Sequence, residues 1–427
     1  MNIVERAKVF VQSLRELAEK SAWDWRRCPR CGGTDTFKNG GYWRYPWSFG
    51  GRHKVRVQRH KCSGCNRTYS EESALLVGGS WYAREVHRAA IDYWQFAGSS
   101  LRRSAMLLCA HINRQGHWLM WRPLDPEPSQ KCELAASTIH RWLDGAGKVA
   151  QRTVAGQLDA VPSSGQMGTD GLWAVLHGGA KRVVLALVDN VSGLTWPPVV
   201  VEGEDEEKSW GRMFERARKA GLDPDMLRGV ASDGAKGLVS YLNKALEWVN
   251  HQRCVFHIWR NLAGGLAKIT SEAAQGLGGD AAKAAREQAR KQLVSLIHGV
   301  VDAKSEEAAE VALAKLAAHV HGAGLVIILK RDIEKLLIHQ LPYNEGLLRV
   351  TPEWVWRDFR LRLSRGRNHG SDERLERAAL VWATYRNFTP AQWRCERKRK
   401  YRHPGQSALE VAGVPPGKLS YLDALAI

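Results

Sequence analysis

The sequence is poor in acidic residues and has no long apolar segment. It carries 44 Asp and Glu against 63 Lys and Arg among 427 residues, a formal net charge of +19 at pH 7. Apolar runs such as Val183–Val188 reach only six residues, far too few to cross a bilayer. We therefore expect no membrane span. The basic excess favours a polyanionic partner, although charge alone does not distinguish DNA from RNA or an anionic membrane.

The chain also shows no internal repeat, no long low-complexity segment and no Walker-type phosphate loop. Residues 1–22 have the spacing of a short amphipathic helix without a long apolar stretch, so we expect no signal peptide. Eight cysteines are present, and only four occur in C-x-x-C pairs. This pattern suits a reducing interior better than a disulfide scaffold, and the expected location is the cytoplasm, at the nucleoid. The scattered cysteines are Cys109, Cys132, Cys254 and Cys395.

Two cysteine pairs predict a small metal-stapled module over residues 23–78. Cys28 and Cys31 form one C-x-x-C pair, and Cys62 and Cys65 form the other. Each pair presents two thiolates from one tight turn, so four converging sulfurs make a closed tetrahedral site for one structural Zn²⁺. A redox pair or two disulfides are the alternatives to this zinc ribbon.

Basic and aromatic side chains alternate between the two cysteine pairs. Lys54, Arg56 and Arg59 are predicted to contact DNA phosphates. The aromatic residues could touch bases, or they could form the small core of the ribbon instead. These aromatic residues are Tyr42, Trp43, Tyr45 and Trp47.

Residues 79–150 return to helical spacing and predict a helix-turn-helix DNA-binding domain. The segment Leu134–Leu143 has the pattern of a recognition helix, with Ser137 or Thr138 as its cap. His140 and Arg141 would face the bases. The insertion before this helix is long, and a plain helical linker domain is the alternative.

Residues 158–262 alternate between strand and helix patterns. Three consecutive strands followed by helix, strand, helix and strand are the order of a ribonuclease-H-like domain, which we expect to resume at 345–390. Residues 263–344 are alanine-rich with helical spacing and predict an all-α insertion, with Asp280 and Ser305 as helix caps. A basic tail follows over 391–427. The predicted fold class is thus multidomain α/β, a mixed sheet with an all-α insertion, preceded by the ribbon and the helical domain.

Three acidic residues that lie far apart in the sequence are candidate catalytic residues. Asp170 is expected to begin the first strand of this domain, Asp233 to end the fourth, and Glu353 to open a helix. Carboxylates converging from different elements are what two-metal phosphoryl transfer needs. Each of the three acids could instead have a purely structural role. Asp170 could be a turn residue, Asp233 a helix cap, and Glu353 half of an ion pair with Arg357.

Four motifs together resemble the catalytic core of bacterial insertion-sequence transposases, in the Mutator-like branch. They are Gly168–Trp173, Ala231–Leu238, the C-x-x-H-containing segment Gln252–Asn261, and Thr351–Arg362. The resemblance implies a DDE-type DNA transposase with Asp170, Asp233 and Glu353 as its catalytic acids. Glu345 is a rival third acid, and Asp189 is a rival ligand at a strand end.

The resemblance also implies supporting roles for Cys254, His257, Arg260 and Arg357 beside the active site. It implies two catalytic Mg²⁺ or Mn²⁺ ions, double-stranded DNA as partner, and a homodimer or larger assembly that bridges two element ends. Such an enzyme would cleave the ends and join their 3′-hydroxyls to target DNA. Two arginine clusters would clamp phosphates, or they could be solvated faces; they comprise Arg357, Arg360, Arg362, Arg365, Arg367 and residues 394–402.

Two other functions stay open. The first is a metal-dependent DNA nuclease on the same fold that cuts without joining. The second is a DNA-binding regulator or domesticated transposase that has the zinc ribbon and helix-turn-helix but no cleavage activity.

Overall fold

In the computed structural model of the chain, the described residues form two compact units. Unit 1 draws on Met1–Val161, Ala174–Lys181 and Arg357–Ile427, and unit 2 on Pro162–Trp173 and Arg182–Trp356. The residues that the structure describes are 26–49, 51–71, 75–95, 98–118, 132–152, 158, 161–319, 322–341, 344, 357, 359–362, 369–390, 405–414, 416–417 and 419–427.

Unit 1 begins with a small sheet. Its strands are β1 (Thr36–Arg44), β2 (Trp47–Ser48), β3 (Gly51–Arg52), β4 (Val55–Cys62) and β5 (Thr68–Ser70). β1, β4 and β5 form one three-stranded sheet, in which β4 pairs antiparallel with both neighbours, and β2 pairs with β3. Nearly every side chain of β1 is exposed. So little apolar burial cannot hold a sheet of this size together, which explains why the module carries a cysteine cluster.

Three helices follow the small sheet: α1 (Arg84–Gln95), α2 (Leu101–Trp118) and α3 (Ala136–Arg152). Apolar side chains at helical spacing build their shared core, including Val86, Ala90, Leu108, Ile112 and Ile139. Because α3 already begins at Ala136, Ser137 and Thr138 lie within its first turn. The prediction that one of them caps the helix is therefore wrong.

The larger sheet has five strands. They are β6 (Gln166–Val175), β7 (Lys181–Asp189), β8 (Val199–Val201), β9 (Gly229–Ser232) and β10 (Asn250–Arg253). The spatial order is β10-β9-β6-β7-β8, with β9 parallel to both β6 and β10 and with β8 antiparallel to β7. The apolar run Val183–Val188 is buried in β7. The pair Pro197 and Pro198 precedes the short edge strand β8, where missing N–H donors cost least.

Two boundaries of this sheet differ from the sequence predictions. β6 begins at Gln166, so Asp170 lies inside the first strand rather than at its start. The apolar pattern predicts a last strand at Arg253–Phe256, but β10 ends at Arg253 because a helix already begins at Val255. Both differences arise because polar residues of β6 and β10 take part in strand pairing with β9, which a search for apolar patterns does not detect.

Two helices connect the strands, α4 (Glu207–Lys219) and α5 (Lys236–Ala245), and α6 (Val255–Glu272) follows β10. The helical block continues with α7 (Gly279–Val301), α8 (Glu306–Ala317) and α9 (Ala323–Leu336). Their buried side chains form one apolar cluster with α6. Ser305 caps α8 by accepting a bond from the Ala308 N–H, as predicted. Asp280 instead lies in the first turn of α7, whose cap is Gly278.

The C-terminal part of unit 1 contains α10 (Asp372–Phe388), α11 (Ala408–Val411) and α12 (Tyr421–Ala424). α10 packs against α3, and Gly147 allows the close approach because a Cβ there would collide with Arg377. Arg377 also pairs with Asp144 at 2.8 Å. None of the helices in the described part of the chain has the length and hydropathy needed to cross a bilayer.

Candidate active site

Strand register brings Asp170 and Asp233 together. β6 and β9 are parallel neighbours in which Gly168 pairs with Ala231. Each aspartate comes two residues after one member of this pair, so both acids lie at the same level of the sheet. Asp170 is 5 % exposed inside β6, whereas Asp233 is half-buried directly after β9.

His257 joins the two acids from a third element. It lies in the first turn of α6, which follows β10 through the buried Cys254. Its Nε2 is 4.0 Å from Oδ2 of Asp170. One ligand atom each from Asp170, Asp233 and His257 lie within 4.8 Å of one another. The C-x-x-H motif therefore places its histidine beside Asp170 and Asp233, while its cysteine, Cys254, is the N-cap residue of the helix.

The turn after β9 is built to hold Asp233 in place. Gly234 has φ +79°, a conformation that other residues rarely adopt, and a Cβ there would collide with the guanidinium of Arg253. The Asp233 carboxylate accepts a bond of 3.0 Å from the Ala235 N–H, and Ser232 Oγ accepts one of 3.0 Å from the Gly234 N–H. Backbone geometry thus orients this acid.

Glu204 is a further carboxylate at the border of this cluster, and no pattern in the sequence marked it as a site residue. Its Oε1 accepts a bond of 3.2 Å from Trp173 Nε1–H, and its backbone carbonyl accepts one of 2.7 Å from Trp210 Nε1–H. A Cβ on Gly171 would collide with Glu204 Oε2, so the missing side chain beside Asp170 makes room for this carboxylate.

Electrostatics tie Glu204 to the site. Burial raises the pKa of Glu204, repulsion from Asp233 raises it further, and the bond from Trp173 and the charge of Arg260 act in the opposite direction. Arg260 is exposed on α6. The signal that could have found Glu204 is the acidic run Glu202–Glu207 after a strand, which has the appearance of a solvated helix start.

The rival ligand Asp189 has a structural role. It is 1 % exposed, and its carboxylate accepts bonds from the backbone N–H groups of Ser164, Val191 and Ser192 at 2.7–2.9 Å. These bonds hold the turn after β7, and Asp189 is absent from the cluster that the described residues form around Asp170.

The donor set of the acidic cluster fits a divalent cation. Two ligands on one ion at about 2.1 Å each can be no more than about 4.2 Å apart, close to the spread of the three donor atoms. Carboxylate oxygens suit Mg²⁺ and Mn²⁺, and an imidazole nitrogen favours the softer ion of the two. Two carboxylates and one imidazole leave coordination positions for water or substrate.

The four cysteines of unit 1 form a second group that could hold a metal. Cys28 Sγ lies 3.5 Å from Cys65 Sγ, and Cys31 Sγ lies 3.6 Å from Cys62 Sγ. A disulfide needs about 2.05 Å, whereas thiolates about 2.3 Å from a tetrahedral ion are separated by about 3.8 Å. Backbone hydrogen bonds from Arg30 and Cys31 lower the pKa of the Cys28 thiol to about 6. The cluster therefore has the geometry of a closed metal site.

The predicted DNA contacts of the N-terminal part lie on the surface. Lys54, Arg56 and Arg59 are exposed on or next to β4. On α3, Ser137 and Arg141 are exposed, and Arg141 donates a bond of 3.0 Å to Thr138. His140 is half-buried, and its ring centroid lies 6.4 Å from that of His369.

Arg362 differs from the other predicted phosphate contacts. It is 7 % exposed, its guanidinium donates to the Gln95 carbonyl, and it lies over the Tyr385 ring. This burial makes Arg362 a packing residue of unit 1, so its predicted phosphate contact is wrong. Arg357 and Arg360 are exposed. Glu353, Glu345, Arg365, Arg367 and residues 394–402 lie outside the described residues.

Comparison with known proteins bears on unit 2. No curated protein sequence matches the chain. A family model does match, and its range contains Glu204, Asp233, Cys254, His257 and Arg260. The range begins after Asp170 and ends before Glu353. Residues 198–319 match the model of the transposases of the Mutator family, so the resemblance indicated by the motifs is confirmed over this part of the chain.

Proposed function

We propose that this protein is a DDE-type DNA transposase that cleaves the ends of its mobile element and joins their 3′-hydroxyls to target DNA. The observation that carries the proposal is the convergence of Asp170, Asp233 and His257 within 4.8 Å. Its second support is that the Mutator-family match covers two of these three residues.

The topology of the larger sheet supports a ribonuclease-H-like catalytic domain. Counted in chain order, its strands lie in the spatial order 3-2-1-4-5, with the fourth parallel to the first and the fifth. This arrangement puts an acid of the first strand beside one that follows the fourth. Two carboxylates on adjacent parallel strands share the short distance that one cation can bridge.

The chemistry follows from the charge at the site. Two divalent cations, when bound, activate the attacking water or 3′-hydroxyl and stabilise the leaving oxygen of an in-line phosphoryl transfer. Asp170 and Asp233 would hold one of them between the strands. His257 would donate its imidazole nitrogen to the same ion, and the exposed Arg260 on the same helix would contact the phosphate of the scissile strand.

Two further carboxylates would complete the metal-binding site. We assign Glu353 as the third acid of the DDE triad, by the motif around it. Glu204 would add a further carboxylate at the border of the cluster, positioned by Trp173 and made possible by Gly171. In this arrangement Glu204 strengthens the attraction for the second cation rather than replacing Glu353.

The N-terminal part would recognise the element ends. The cysteine cluster would hold one Zn²⁺ in a closed structural site, and the exposed cations of β4 would contact phosphates. Helix α3, with Arg141 on its surface, would enter the major groove as the recognition helix of a helix-turn-helix. A dimer or larger assembly would bridge two ends.

The test is cleavage of an end-containing DNA by Asp170→Asn and Asp233→Asn in Mg²⁺ or Mn²⁺. We expect each variant to lose cleavage by at least about 10³-fold while its affinity for the same DNA changes by less than about twofold. Asp225→Asn, an exposed acid remote from the cluster, is the matched control and should cleave like the wild type. Wild-type rates in both site variants would refute the assignment.

A second assay separates joining from cutting. Precut ends with free 3′-hydroxyls are incubated with target DNA, and only a transposase yields joined product. Cleavage without joined product would identify a nuclease on the same fold. Binding without cleavage in any divalent ion would identify a regulator.

A further inference from the structure

A cleft on the surface of unit 1 has features that the proposed active site does not use. It encloses about 420 Å³ between the end of β1 and the turn that precedes α1. This volume lies within the range of about 300–1,000 Å³ that is typical of ligand sites. Its lining residues are Tyr42, Trp43, Arg44, Tyr45, Arg52, Gly79, Ser80 and Trp81.

The aromatic residues of the cleft are open to solvent. Tyr42 is 42 % exposed, Trp43 51 %, Tyr45 46 % and Trp81 72 %. Tyr42, Trp43 and Tyr45 therefore do not form the core of the ribbon, which is one of the two interpretations of the sequence. Trp47 packs instead against the core of the three helices. Four large exposed rings around one cavity are costly to leave in water, and such clusters mark interaction sites.

The walls of the cleft are fixed before any ligand arrives. Arg44 spans it by donating to the backbone carbonyls of Val77 and Ser80. The Trp81 carbonyl accepts a bond of 2.8 Å from the Trp47 N–H, which ties the turn to β2. A preformed aromatic surface binds without the ordering cost that a mobile one would incur.

Charge around the cleft selects its ligand. Residues 26–71 contain eleven Lys and Arg but only two Asp and Glu, a difference of +9. Lys54 Nζ lies 4.6 Å from the centroid of the Trp43 ring, and the Arg52 guanidinium lies 5.4 Å from that of Trp47. Cations beside stacking surfaces are the combination that single-stranded nucleic acids bind, because phosphates and base faces are then contacted together.

We propose that this cleft binds unpaired DNA bases of a single-stranded segment. The inference rests on the proposed function only in taking DNA as the partner. Bases of an intact duplex are stacked on one another and present edges rather than faces, so exposed rings add little to duplex binding. Unpaired bases can stack on Trp43 and Trp81, with Lys54 and Arg52 near the phosphates.

The test compares two DNA forms with the full-length chain in buffer without added Mg²⁺ or Mn²⁺. Fluorescence anisotropy gives the Kd of a mixed-sequence single strand and of a blunt duplex of the same sequence. We expect Trp43→Ala and Trp81→Ala each to weaken single-strand binding about tenfold. Duplex binding should change by less than about twofold. Trp43→Phe, which keeps a stacking face, should stay within about threefold of the wild type.

Matched controls keep the result interpretable. Trp248→Ala removes a tryptophan that is 49 % exposed in unit 2 and should leave both affinities unchanged. Bound zinc verifies that the ribbon of each variant is intact. Unchanged single-strand affinity in both alanine variants would overturn the proposal, as would an equal loss for single strand and duplex. Cleavage by Asp170→Asn is a separate readout, so the cleft can be refuted while the proposed function stands.

Discussion

The cysteine cluster of unit 1 and the acidic cluster of unit 2 can both hold a metal, but they are built in opposite ways. The four cysteines come from two tight turns of one small module whose sheet buries little apolar surface. Asp170, Asp233 and His257 come from a strand, a turn and a helix that a large apolar core already fixes. The cysteine cluster stabilises the small module that carries it, whereas the acidic cluster is positioned by a fold that the apolar core stabilises.

In the proposed function, the first cluster is a structural site and the second a catalytic one. Four thiolates fill a tetrahedral ion, so no position is left for a substrate. Two carboxylates and one imidazole leave positions free, and the burial of Asp170 reduces the screening of its negative charge, which favours a bound cation. Removal of the metal should therefore unfold one region and leave the other folded but inactive.

The largest expected effect is the loss of the ribbon in Cys62→Ser. Structural zinc contributes about 10–16 kcal/mol to small zinc modules at pH 7, and Cys62 is fully buried. We expect loss of bound zinc, unfolding of the ribbon and loss of DNA binding, measured by metal content, proteolysis and anisotropy. Cys109→Ser is the control, because its hydroxyl can still accept the bond from the Leu134 N–H. Retained zinc in Cys62→Ser would contradict a structural role.

The free energy of unfolding of unit 1 should also decrease in acid because of a buried histidine that binds no metal. His87 is buried, stacks on Trp142 at 3.7 Å and has a pKa lowered to about 4, first by burial and then by Arg84. Because the unfolded chain binds this proton near pH 6.5, stability falls as the pH decreases from about 6.5 towards 4. His87→Gln should therefore reduce the acid loss.

The measurement for His87 is the free energy of unfolding from urea curves at pH 7 and pH 4.5. The wild type should lose up to about 3 kcal/mol more than His87→Gln between these pH values. His53→Gln, at an exposed position, is the control and should keep the pH dependence of the wild type. An identical pH dependence in His87→Gln and the wild type would show that this imidazole does not contribute.

Gly171→Ala should sharpen the comparison at the acidic cluster. The added methyl group would displace the Glu204 carboxylate from the side of Asp170. We expect about tenfold weaker Mn²⁺ binding in a calorimetric titration and a small loss of unfolding free energy in unit 2, because the methyl group would also lie 3.0 Å from Cγ1 of the buried Val183. Gly203→Ala has open space around its Cβ and should bind Mn²⁺ like the wild type. Wild-type affinity in Gly171→Ala would show that the placement of Glu204 does not matter for the metal.

The smallest expected effect is that of Glu204→Gln. It should weaken Mn²⁺ binding by about threefold to tenfold and slightly stabilise the metal-free protein, because repulsion from Asp233 disappears. The two changes have opposite signs, which a purely structural role would not produce. Glu202→Gln removes an exposed charge from the same loop and should do neither. Weaker folding without a change in metal affinity would remove Glu204 from the site.

Sequence patterns anticipated the helical block and most strands, because buried apolar spacing determines those elements. They failed where polar residues decide the boundary. Asp170 lies within β6 because ladder pairing continues through polar residues, and α3 begins before the hydroxyl residues that resemble a cap. Arg362 has the appearance of a phosphate contact in the sequence, yet it is buried against the Gln95 carbonyl. Glu204 was missed because its neighbours are brought to it only by folding.

The cysteine quartet, the basic N-terminal part and Asp233 after a strand could be recognised from the sequence, because each depends on local spacing or composition. Which acids lie together follows only from the folded chain. The parallel register of β6 and β9 aligns Asp170 with Asp233, and His257 joins them from α6. Asp189 instead accepts hydrogen bonds from backbone N–H groups. Contacts between residues far apart in the chain follow from sheet order and packing, which no local pattern records.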